Sequence, residues 1–258
     1  MLLAIDIGNT NIVMGLITEQ GDLKAYWRIA TRPEATFDEY GLLLRNLLDK
    51  GVLKVKGVVL ACVVPKLTKV FQEVALYYFQ QKVLLVAPGT KTGIKLLVDN
   101  PKGVGADRIV NSVAAYKKYG GVNLCVIDFG TATTFDVVSN KGEFLGGAIA
   151  PGVKIAAESL HLKTAQLPQI ALKFPVKAIG KDTVANLQSG LMFGYIGLIK
   201  ELIFRFKQEL KGEWKIILTG GLAGSLMKEL KNLDVVLEDN LTLEGLKIIW
   251  DLNQKAVL

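Results

Sequence analysis

Histidine and cysteine are nearly absent from this sequence, which contains one histidine and two cysteines in 258 residues. With His161 as the single histidine, we expect neither a histidine-dependent catalytic triad nor a cluster of histidine metal ligands. Cys62 and Cys125 both lie in apolar, strand-like runs, which is typical of buried thiols and not of a disulfide framework. This cysteine usage fits a reducing cytoplasm.

The sequence also has no long run of hydrophobic residues and no long run of basic residues. The longest apolar stretch, Gly190–Ile199, is too short for the ~20 residues that span a bilayer. The N-terminus has no basic region, and Asp6 stands where a secretory hydrophobic segment would begin. The formal net charge of +7 is scattered and forms no Lys/Arg tract of the kind that binds nucleic acid. We therefore expect a soluble, cytoplasmic protein, whose positive charge suits an anionic small-molecule ligand.

Half of the residues are hydrophobic, and they fall into alternating strand-like and helix-like segments. Such alternation predicts an α/β protein. Asp182 is a predicted N-cap for the longest helix, whose apolar stripe includes Leu191, Tyr195, Leu198 and Leu202. Strands are predicted at 2–30 (three strands), 57–64, 82–86, around Asp128, at 142–150 and at 214–218. Helices are predicted at 37–50, 65–79, 106–119, from Pro151, and at 183–211, 222–231 and 241–255.

Each half of the chain opens with the same pattern, a strand that ends in an acid followed by glycine and a small hydroxyl residue. Asp6, Gly8 and Thr10 in the first half correspond to Asp128, Gly130 and Thr131 in the second. This approximate internal duplication predicts two similar domains, at 1–115 and 116–258, with a cleft between them.

The chemistry of such a turn favours a phosphate site. Glycine allows a ligand to approach the backbone closely, and successive backbone N–H groups in a tight turn form an anion-binding concavity. The preceding aspartate repels phosphate, so it must serve a cation or a water molecule. Two ordinary hairpins would look similar, since Asn, Gly and Thr are common in turns, but two matched copies favour phosphate binding.

A third glycine-rich turn follows late in the chain, in "IILTGGLAGSL" (216–226). Gly220, Gly221 and Gly224 would let a flat base or a ribose lie against the backbone. The spacing differs from the dinucleotide-binding G-x-G-x-x-G pattern, and the chain has no G-x-x-x-x-G-K-[ST] loop. Both of those common nucleotide-binding motifs are therefore excluded.

Two phosphate hairpins followed by a Gly-Gly turn resemble the superfamily of acetate and sugar kinases, actin and chaperones. Within it, the chain resembles the type III pantothenate kinase family. The matching segments, in the family's order, are "DIGNTN" (6–11), "NPKGVGADR" (100–108), "DFGTATTFD" (128–136), "GGAIAPG" (146–152), "GKDT" (180–183) and "TGG" (219–221). The resemblance implies two ribonuclease-H-like domains with ATP in the cleft between them.

The resemblance also implies which residues bind ATP and its cations. The first hairpin would bind ATP through Asp6, Ile7, Gly8, Asn9, Thr10, Asn11, Ile12 and Val13, and Thr131 would bind it from the second hairpin. Mg²⁺ would accompany ATP, with Asp6 as its carboxylate neighbour. Asp128 would hold the monovalent cation, potassium or ammonium, that the family requires.

The substrate implied by the resemblance is pantothenate, which would be phosphorylated to 4'-phosphopantothenate in the first step of coenzyme A biosynthesis. Its pocket would be lined by Val98, Gly105, Ala106, Asp107, Arg108 and Thr183. Thr183 would come from the partner subunit, because the family forms homodimers with sites at the interface. Many family members have tyrosine where this chain has Val98, which changes the outer wall of the pocket.

Asp107 is the expected general base of the reaction. The nucleophile is a primary alcohol, and a carboxylate within hydrogen-bond reach can accept its proton. From the residues alone, Asp107 could equally be a first-turn acid that stabilises the start of a helix. Two other functions stay open: a nucleotide-binding regulator without turnover, and a kinase of another small alcohol.

Overall fold

The chain folds into two compact units, each built on one mixed β-sheet. The computed structural model describes residues 1–48, 55–230 and 233–254. The first unit comprises Met1–Lys95, Asp99–Ala114 and Asn240–Leu258, and the second comprises Leu96–Val98 and Ala115–Asp239. The predicted two-domain α/β class is confirmed.

The helices and strands have the following bounds. The strands are β1 (Leu2–Ile7), β2 (Asn11–Ile17), β3 (Leu23–Ala30), β4 (Gly57–Cys62), β5 (Val83–Leu85), β6 (Lys95–Leu96), β7 (Asn123–Phe129), β8 (Ala132–Val138), β9 (Glu143–Pro151), β10 (Trp214–Gly220) and β11 (Val235–Leu237). The helices are α1 (Phe37–Leu48), α2 (Pro65–Phe79), α3 (Ala106–Tyr119), α4 (Val153–Lys163), α5 (Thr183–Glu209), α6 (Ala223–Met227) and α7 (Leu241–Gln254), with a 3₁₀ turn at Pro101–Gly103.

The two sheets repeat one topology. The first has the order β3-β2-β1-β4-β5, and the second contains the matching order β9-β8-β7-β10-β11, with β6 added beside β9. In each sheet the first three strands of the unit are antiparallel, and the last two run parallel to the first. The duplication read from the sequence therefore extends to strand order and direction.

Strand alternation places β1 between two apolar cores in the first unit. Leu3, Ile5 and Ile7 pack with α1 and α2, whereas Leu2 and Ala4 pack with α3 and α7 on the opposite face. Because side chains alternate along a strand, Asp6 belongs to the second of these faces. The start of α3, with Ala106 and Ile109, packs against the same core.

One core of the second unit lies between its sheet and helices α4, α5 and α6. Ile127 and Phe129 of β7 point into this core, so Asp128 points to the opposite face of the sheet. Helix α5 begins as predicted, because the Asp182 side chain accepts a hydrogen bond of 2.9 Å from the Ala185 N–H.

The buried side of α5 is shifted from the predicted stripe, of which Leu191 is buried in the core. Met192, Ile196, Ile199 and Ile203 are buried, whereas Tyr195, Leu198 and Leu202 of the predicted stripe are only partly buried beside them. Much of the helix circumference is apolar, so periodicity alone does not determine which side faces the core.

Within the described residues, α5 is the one helix long and apolar enough to cross a membrane by length and composition.

Other differences from the prediction concern the ends of elements. Pro151 ends β9, and α4 starts at Val153. Helix α6 is shorter than predicted, β11 was not anticipated, and residues 49–50, 231 and 255 of the predicted helices lie outside the described residues. Helix α7 packs on β1 and β4 and so joins the first unit, whereas the sequence placed all of 116–258 in the second domain.

The packing of α7 against α3 leaves no room for a side chain at Gly245. A Cβ atom there would lie 2.1 Å from the backbone oxygen of Val110, which cannot move out of the way as a flexible side chain can. We expect Gly245→Ala to lower the free energy of unfolding by about 2 kcal/mol. Chemical denaturation of the Gly245→Ala variant and of the unsubstituted protein measures the change in the transition midpoint.

Gly224→Ala is the matched control. It also lies in a helix, but its nearest neighbour would be a side-chain atom of Leu237 at 3.8 Å, which is ordinary contact. We expect this change to be neutral or slightly stabilising, because alanine favours helix. Equal midpoints for the Gly245→Ala variant and the unsubstituted protein would contradict the described packing.

Candidate active site

The first hairpin joins β1 to β2 and exposes three polar residues, Asn9, Thr10 and Asn11, at its tip. The Gly8 N–H donates to the Asn11 carbonyl oxygen at 3.0 Å and closes the turn. A Cβ at Gly8 would lie 3.1 Å from that same oxygen, so glycine keeps the turn tight. The tip therefore presents amide and hydroxyl groups of the kind that donate to phosphate oxygens.

The residues that flank this tip have different roles. Ile7 and Ile12 face each other across the hairpin, and their side chains are fully buried in the first core. They hold the hairpin in place and present no side chain to a ligand. Asp6 pairs with Val13 across the strands; both residues are partly exposed, and the Asp6 Oδ1 atom itself is buried.

The second hairpin joins β7 to β8 through two exposed residues, Gly130 and Thr131. The Gly130 N–H donates to the Ala132 carbonyl oxygen at 3.1 Å, in the position of the first hairpin's Gly8 bond. The Gly152 N–H donates to the Thr131 carbonyl oxygen at 3.0 Å, and a Cβ at Gly152 would lie 2.4 Å from that oxygen. Gly152 thus fastens the end of β9 to the hairpin.

The late glycine-rich turn lies against the second hairpin. A Cβ at Gly220 would be 2.6 Å from the Asp128 Oδ1 atom, and this glycine has a φ of +90°. Both the close approach and the left-handed backbone require glycine here. The Gly221 N–H donates to the Phe129 carbonyl oxygen at 3.2 Å, so "TGG" and "DFG" form one structural element.

The first unit has a backbone hydrogen bond equivalent to the one between Gly221 and Phe129. The Val63 N–H, just beyond β4, donates to the Ile7 carbonyl oxygen at 3.0 Å, as the Gly221 N–H does to that of Phe129. The duplication thus includes the backbone bond that follows each aspartate. The first unit has Val63 where the second has Gly221, so the glycine-rich surface occurs in the second unit's copy of this turn.

Gly105, Ala106, Asp107 and Arg108 form the start of α3 in the first unit. The Ile109 N–H donates to the Gly105 carbonyl oxygen at 3.2 Å, which is the first turn of the helix. The Asp107 Oδ1 atom accepts a hydrogen bond of 2.8 Å from the Arg108 N–H. A Cβ at Gly105 would lie 2.6 Å from that oxygen, so glycine makes room for the carboxylate.

The electrostatic setting of Asp107 is unusual for a first-turn acid. Burial raises the pKa of its carboxyl above the ordinary value, against the lowering effects of the Arg108 N–H bond and the Arg108 guanidinium. A raised pKa makes a carboxylate a better proton acceptor. Asp107 therefore lies at a helix start, as a capping acid would, and also has the basicity of a candidate catalytic base.

Val98 and Thr183 lie in the second unit. A Cβ at Gly146 of "GGAIAPG" would be 3.6 Å from the Val98 Cγ1 atom, so Val98 packs beside β9. Thr183 is exposed at the first residue of α5, next to its N-cap Asp182.

Thr31 was not identified from the sequence, although its hydroxyl donates to the Gly8 carbonyl oxygen at 2.7 Å and supports the first hairpin.

Two aspartates offer oxygen ligands for the cations that the family resemblance implies. In the described part of the chain, no group of three or more histidine, cysteine, aspartate or glutamate residues could hold a metal ion. Mg²⁺ in nucleotide sites is usually bound by one or two carboxylates together with phosphate oxygens, and Asp6 at the first hairpin offers such a carboxylate. Asp128, which pairs with Thr134 on one side and Thr219 on the other, offers a carboxylate beside two hydroxyl residues, and hard cations take oxygen ligands.

Comparison with solved structures defines the class of fold. The chain matches a crystal structure described as a putative Baf family transcriptional activator from Campylobacter jejuni, with a TM-score of 0.60, 22% identity, and 98% and 99% of the two chains covered. It also matches an inorganic polyphosphate/ATP-glucomannokinase from Arthrobacter, with a TM-score of 0.56, 16% identity, and 98% of each chain covered. The fold is that of the sugar kinase and actin-like ATPase class.

Sequence comparison defines the family. A family model described as type III pantothenate kinase matches residues 2–205. The proteins of that name from Moorella thermoacetica and Geobacter sulfurreducens are 49% and 45% identical to the chain over 256 and 258 residues. These alignments cover 98% and 99% of this chain and all of each relative. The chain belongs to the type III pantothenate kinase family.

The burial of Asp107 leads to a prediction about stability. Since burial raises the pKa of Asp107 in the folded protein, the folded state binds this proton more tightly than the unfolded state does, and stability falls as the pH rises from the ordinary aspartate pKa through the raised one. We expect Asp107→Asn to raise the denaturation midpoint at neutral pH, because asparagine can still accept the Arg108 N–H bond without carrying charge. The difference should shrink as the pH is lowered.

Asp22→Asn is the control, because it removes the same charge at an exposed turn where the Asp22 side chain forms a surface ion pair of 3.5 Å with Lys24. We expect it to change the free energy of unfolding by less than about 0.5 kcal/mol. Thermal or urea denaturation at several pH values measures both variants. An Asp107→Asn protein that is less stable than the unsubstituted one at neutral pH would overturn this account of the carboxyl.

Proposed function

We propose that the chain transfers the γ-phosphoryl group of ATP to the primary hydroxyl of pantothenate, which gives 4'-phosphopantothenate in the first step of coenzyme A biosynthesis. The observation that carries this proposal is the family match over residues 2–205, which includes both phosphate hairpins and the Gly105–Arg108 turn. The reaction would take place in the cytoplasm, where both substrates are present.

In this proposal the two hairpins bind the phosphates of one ATP. Exposed Asn9, Thr10 and Asn11 would donate to phosphate oxygens from the first hairpin, and Thr131 would do so from the second. Asp6, Ile7, Gly8, Ile12 and Val13 would fix the first hairpin's shape. The open Gly220–Gly221 turn would lie against the adenosine, since it has no side chain to block a flat ring.

Two cations would complete the ATP site. Asp6 would be the carboxylate next to Mg²⁺, and Asp128 would hold potassium or ammonium. Bound there, the cations would neutralise the charge that develops on the transferred phosphoryl group. This role explains why each phosphate hairpin is preceded by an acid that would otherwise repel its ligand.

Asp107 would act as the general base. As the bond from the pantothenate oxygen to the γ-phosphorus forms and the bond to ADP breaks, the hydroxyl proton moves to the Asp107 carboxylate. Arg108 would pair with the pantothenate carboxylate or with an oxygen of the transferred group. Gly105 and Ala106 would line the acceptor pocket with Val98, and most of the acceleration would come from positioning and charge neutralisation.

A homodimer would complete the acceptor pocket with Thr183 of the second copy. Support for a dimer comes from Gly190, Gly194 and Gly197 on α5, where an added Cβ would meet no described atom within 4 Å. Glycine in a helix interior costs roughly 1 kcal/mol relative to alanine, and packing within the chain does not explain it here. Close approach of a second α5 would.

The kinase proposal predicts the activity of Asp107→Asn. The protein with ATP, Mg²⁺, potassium and pantothenate should release ADP in a coupled assay, and Asp107→Asn should lower kcat about a hundredfold or more while ATP binding is kept. The acid limb of the pH profile of kcat/KM should lie above the pKa range of an exposed aspartate, because burial raises the pKa of Asp107.

The same assay distinguishes the other functions. Asp22→Asn, as the charge control, should keep the full rate. ATP binding by calorimetry without pantothenate-dependent turnover would support a nucleotide-binding regulator, and turnover of a different alcohol in a substrate panel would support another kinase. An Asp107→Asn variant with nearly the unsubstituted rate would remove Asp107 from the role of base.

The dimer proposal predicts the effect of Gly194→Leu. Leucine at this exposed position of α5 should block close approach of a second helix and weaken dimerisation about tenfold or more, without harm to the isolated helix. Light scattering after size-exclusion chromatography measures the mass across a concentration series. Lys69→Leu, at an exposed position of α2, is the control for added apolar surface. Identical masses for all three proteins would argue against an α5 interface.

A further inference from the structure

Ile149 is an exposed aliphatic residue near the end of strand β9. It lies on β9 beside β8, whereas the two-residue strand β6 adjoins β9 near Phe144, away from Ile149, and 64% of the Ile149 surface is accessible. Its neighbours on the same face of the strand, Gly147 and Pro151, do not cover it. A β-branched side chain on this face would normally be packed against another layer, so its exposure calls for an explanation.

The strand register places Ile149 in line with the proposed cation site. Asp128 pairs with Thr134 across β7 and β8, and Thr134 pairs with Ile149 across β8 and β9. Paired residues point to the same face of a sheet, with Cα atoms about 5 Å apart. Asp128, Thr134 and Ile149 therefore form a row in which a carboxylate, a hydroxyl and an alkyl group follow one another over about 10 Å.

The end of β9 is held firmly, so the row has a fixed geometry. The Gly152 N–H donates to the Thr131 carbonyl oxygen at 3.0 Å, and the Tyr195 hydroxyl donates to the Pro151 carbonyl oxygen at 2.5 Å. These bonds tie the residues just beyond Ile149 to the phosphate hairpin on one side and to α5 on the other. A ligand group bound on Ile149 would thus have a set position relative to Thr131.

The acceptor of the reaction has a group that suits this position. In pantothenate, the carbon next to the reacting CH₂OH group carries two methyl groups, and an oxygen-lined cation site cannot recognise them. Ile149 supplies an apolar surface in the same row as Asp128 and Thr134, and Val98 packs against Gly146 of the same strand. Removing the methyl groups and the isoleucine from water together would stabilise the complex.

We propose that Ile149 is a specificity-determining residue that contacts the branched hydrocarbon segment of the acceptor alcohol, an inference that rests on the proposed kinase function. It selects an acceptor with geminal methyl groups over an otherwise identical unbranched one. A polar neighbour of the cation site, Thr134, separates this apolar contact from Asp128, so the phosphates and the hydrocarbon occupy different parts of the row.

The experiment measures kcat/KM for pantothenate and for its analogue without the two methyl groups. The unsubstituted protein should prefer pantothenate, and Ile149→Ala should lower the preference about tenfold, with an unchanged KM for ATP. Ile149→Val, which removes one methylene and keeps the branched shape, should give a smaller loss of preference and covers the case in which the alanine variant folds poorly. Leu162→Ala, at a 76% exposed position of α4, is the control and should keep the full preference.

Three outcomes would overturn the inference. An active Ile149→Ala variant with an unchanged preference would do so and leave the kinase proposal intact. A variant whose preference is unchanged but whose dimer dissociates would show that a second copy, and not the acceptor, covers Ile149. If the unsubstituted protein phosphorylates neither acceptor, the kinase proposal itself is wrong, and the role of Ile149 falls with it.

Discussion

The structure depends on one repeated constraint, an aspartate held at the carboxyl end of the central strand of each sheet. The strand is bonded on one side to its hairpin partner and on the other to a parallel strand. A backbone bond just beyond the aspartate, to Ile7 in the first unit and to Phe129 in the second, fastens the strand end. The acid and the glycine turn that follows it are therefore fixed together in both units.

This constraint explains the chemistry of the site. An acid next to a turn that suits phosphate is unfavourable unless a cation lies between them, so the arrangement is suited to a nucleotide with its metal ions. The room needed for such close approach is provided by glycine at specific points: Gly220 beside Asp128 and Gly105 beside Asp107. Both glycines make space for a carboxylate, because a Cβ atom at either position would lie too close to the carboxylate oxygen.

Several features of the fold could be predicted from the sequence, because they depend on short stretches of the chain. The hairpins, the helix that starts at Pro65 and the N-cap Asp182 depend on residues close in the chain. The full buried side of α5 was predicted only in part and the return of α7 to the first unit was missed, because both depend on packing against distant strands. The burial that raises the pKa of Asp107 also depends on its surroundings in the fold, and the position of Ile149 in line with Asp128 depends on a register that no sequence pattern displays.

A crystal structure with a non-hydrolysable ATP analogue and pantothenate tests the central claim most directly. The account predicts phosphate oxygens within hydrogen-bond distance of both Gly8–Asn11 and Gly130–Thr131, with the acceptor hydroxyl next to the Asp107 carboxylate. A nucleotide bound to only one hairpin, or an acceptor whose hydroxyl lies away from Asp107, would contradict it.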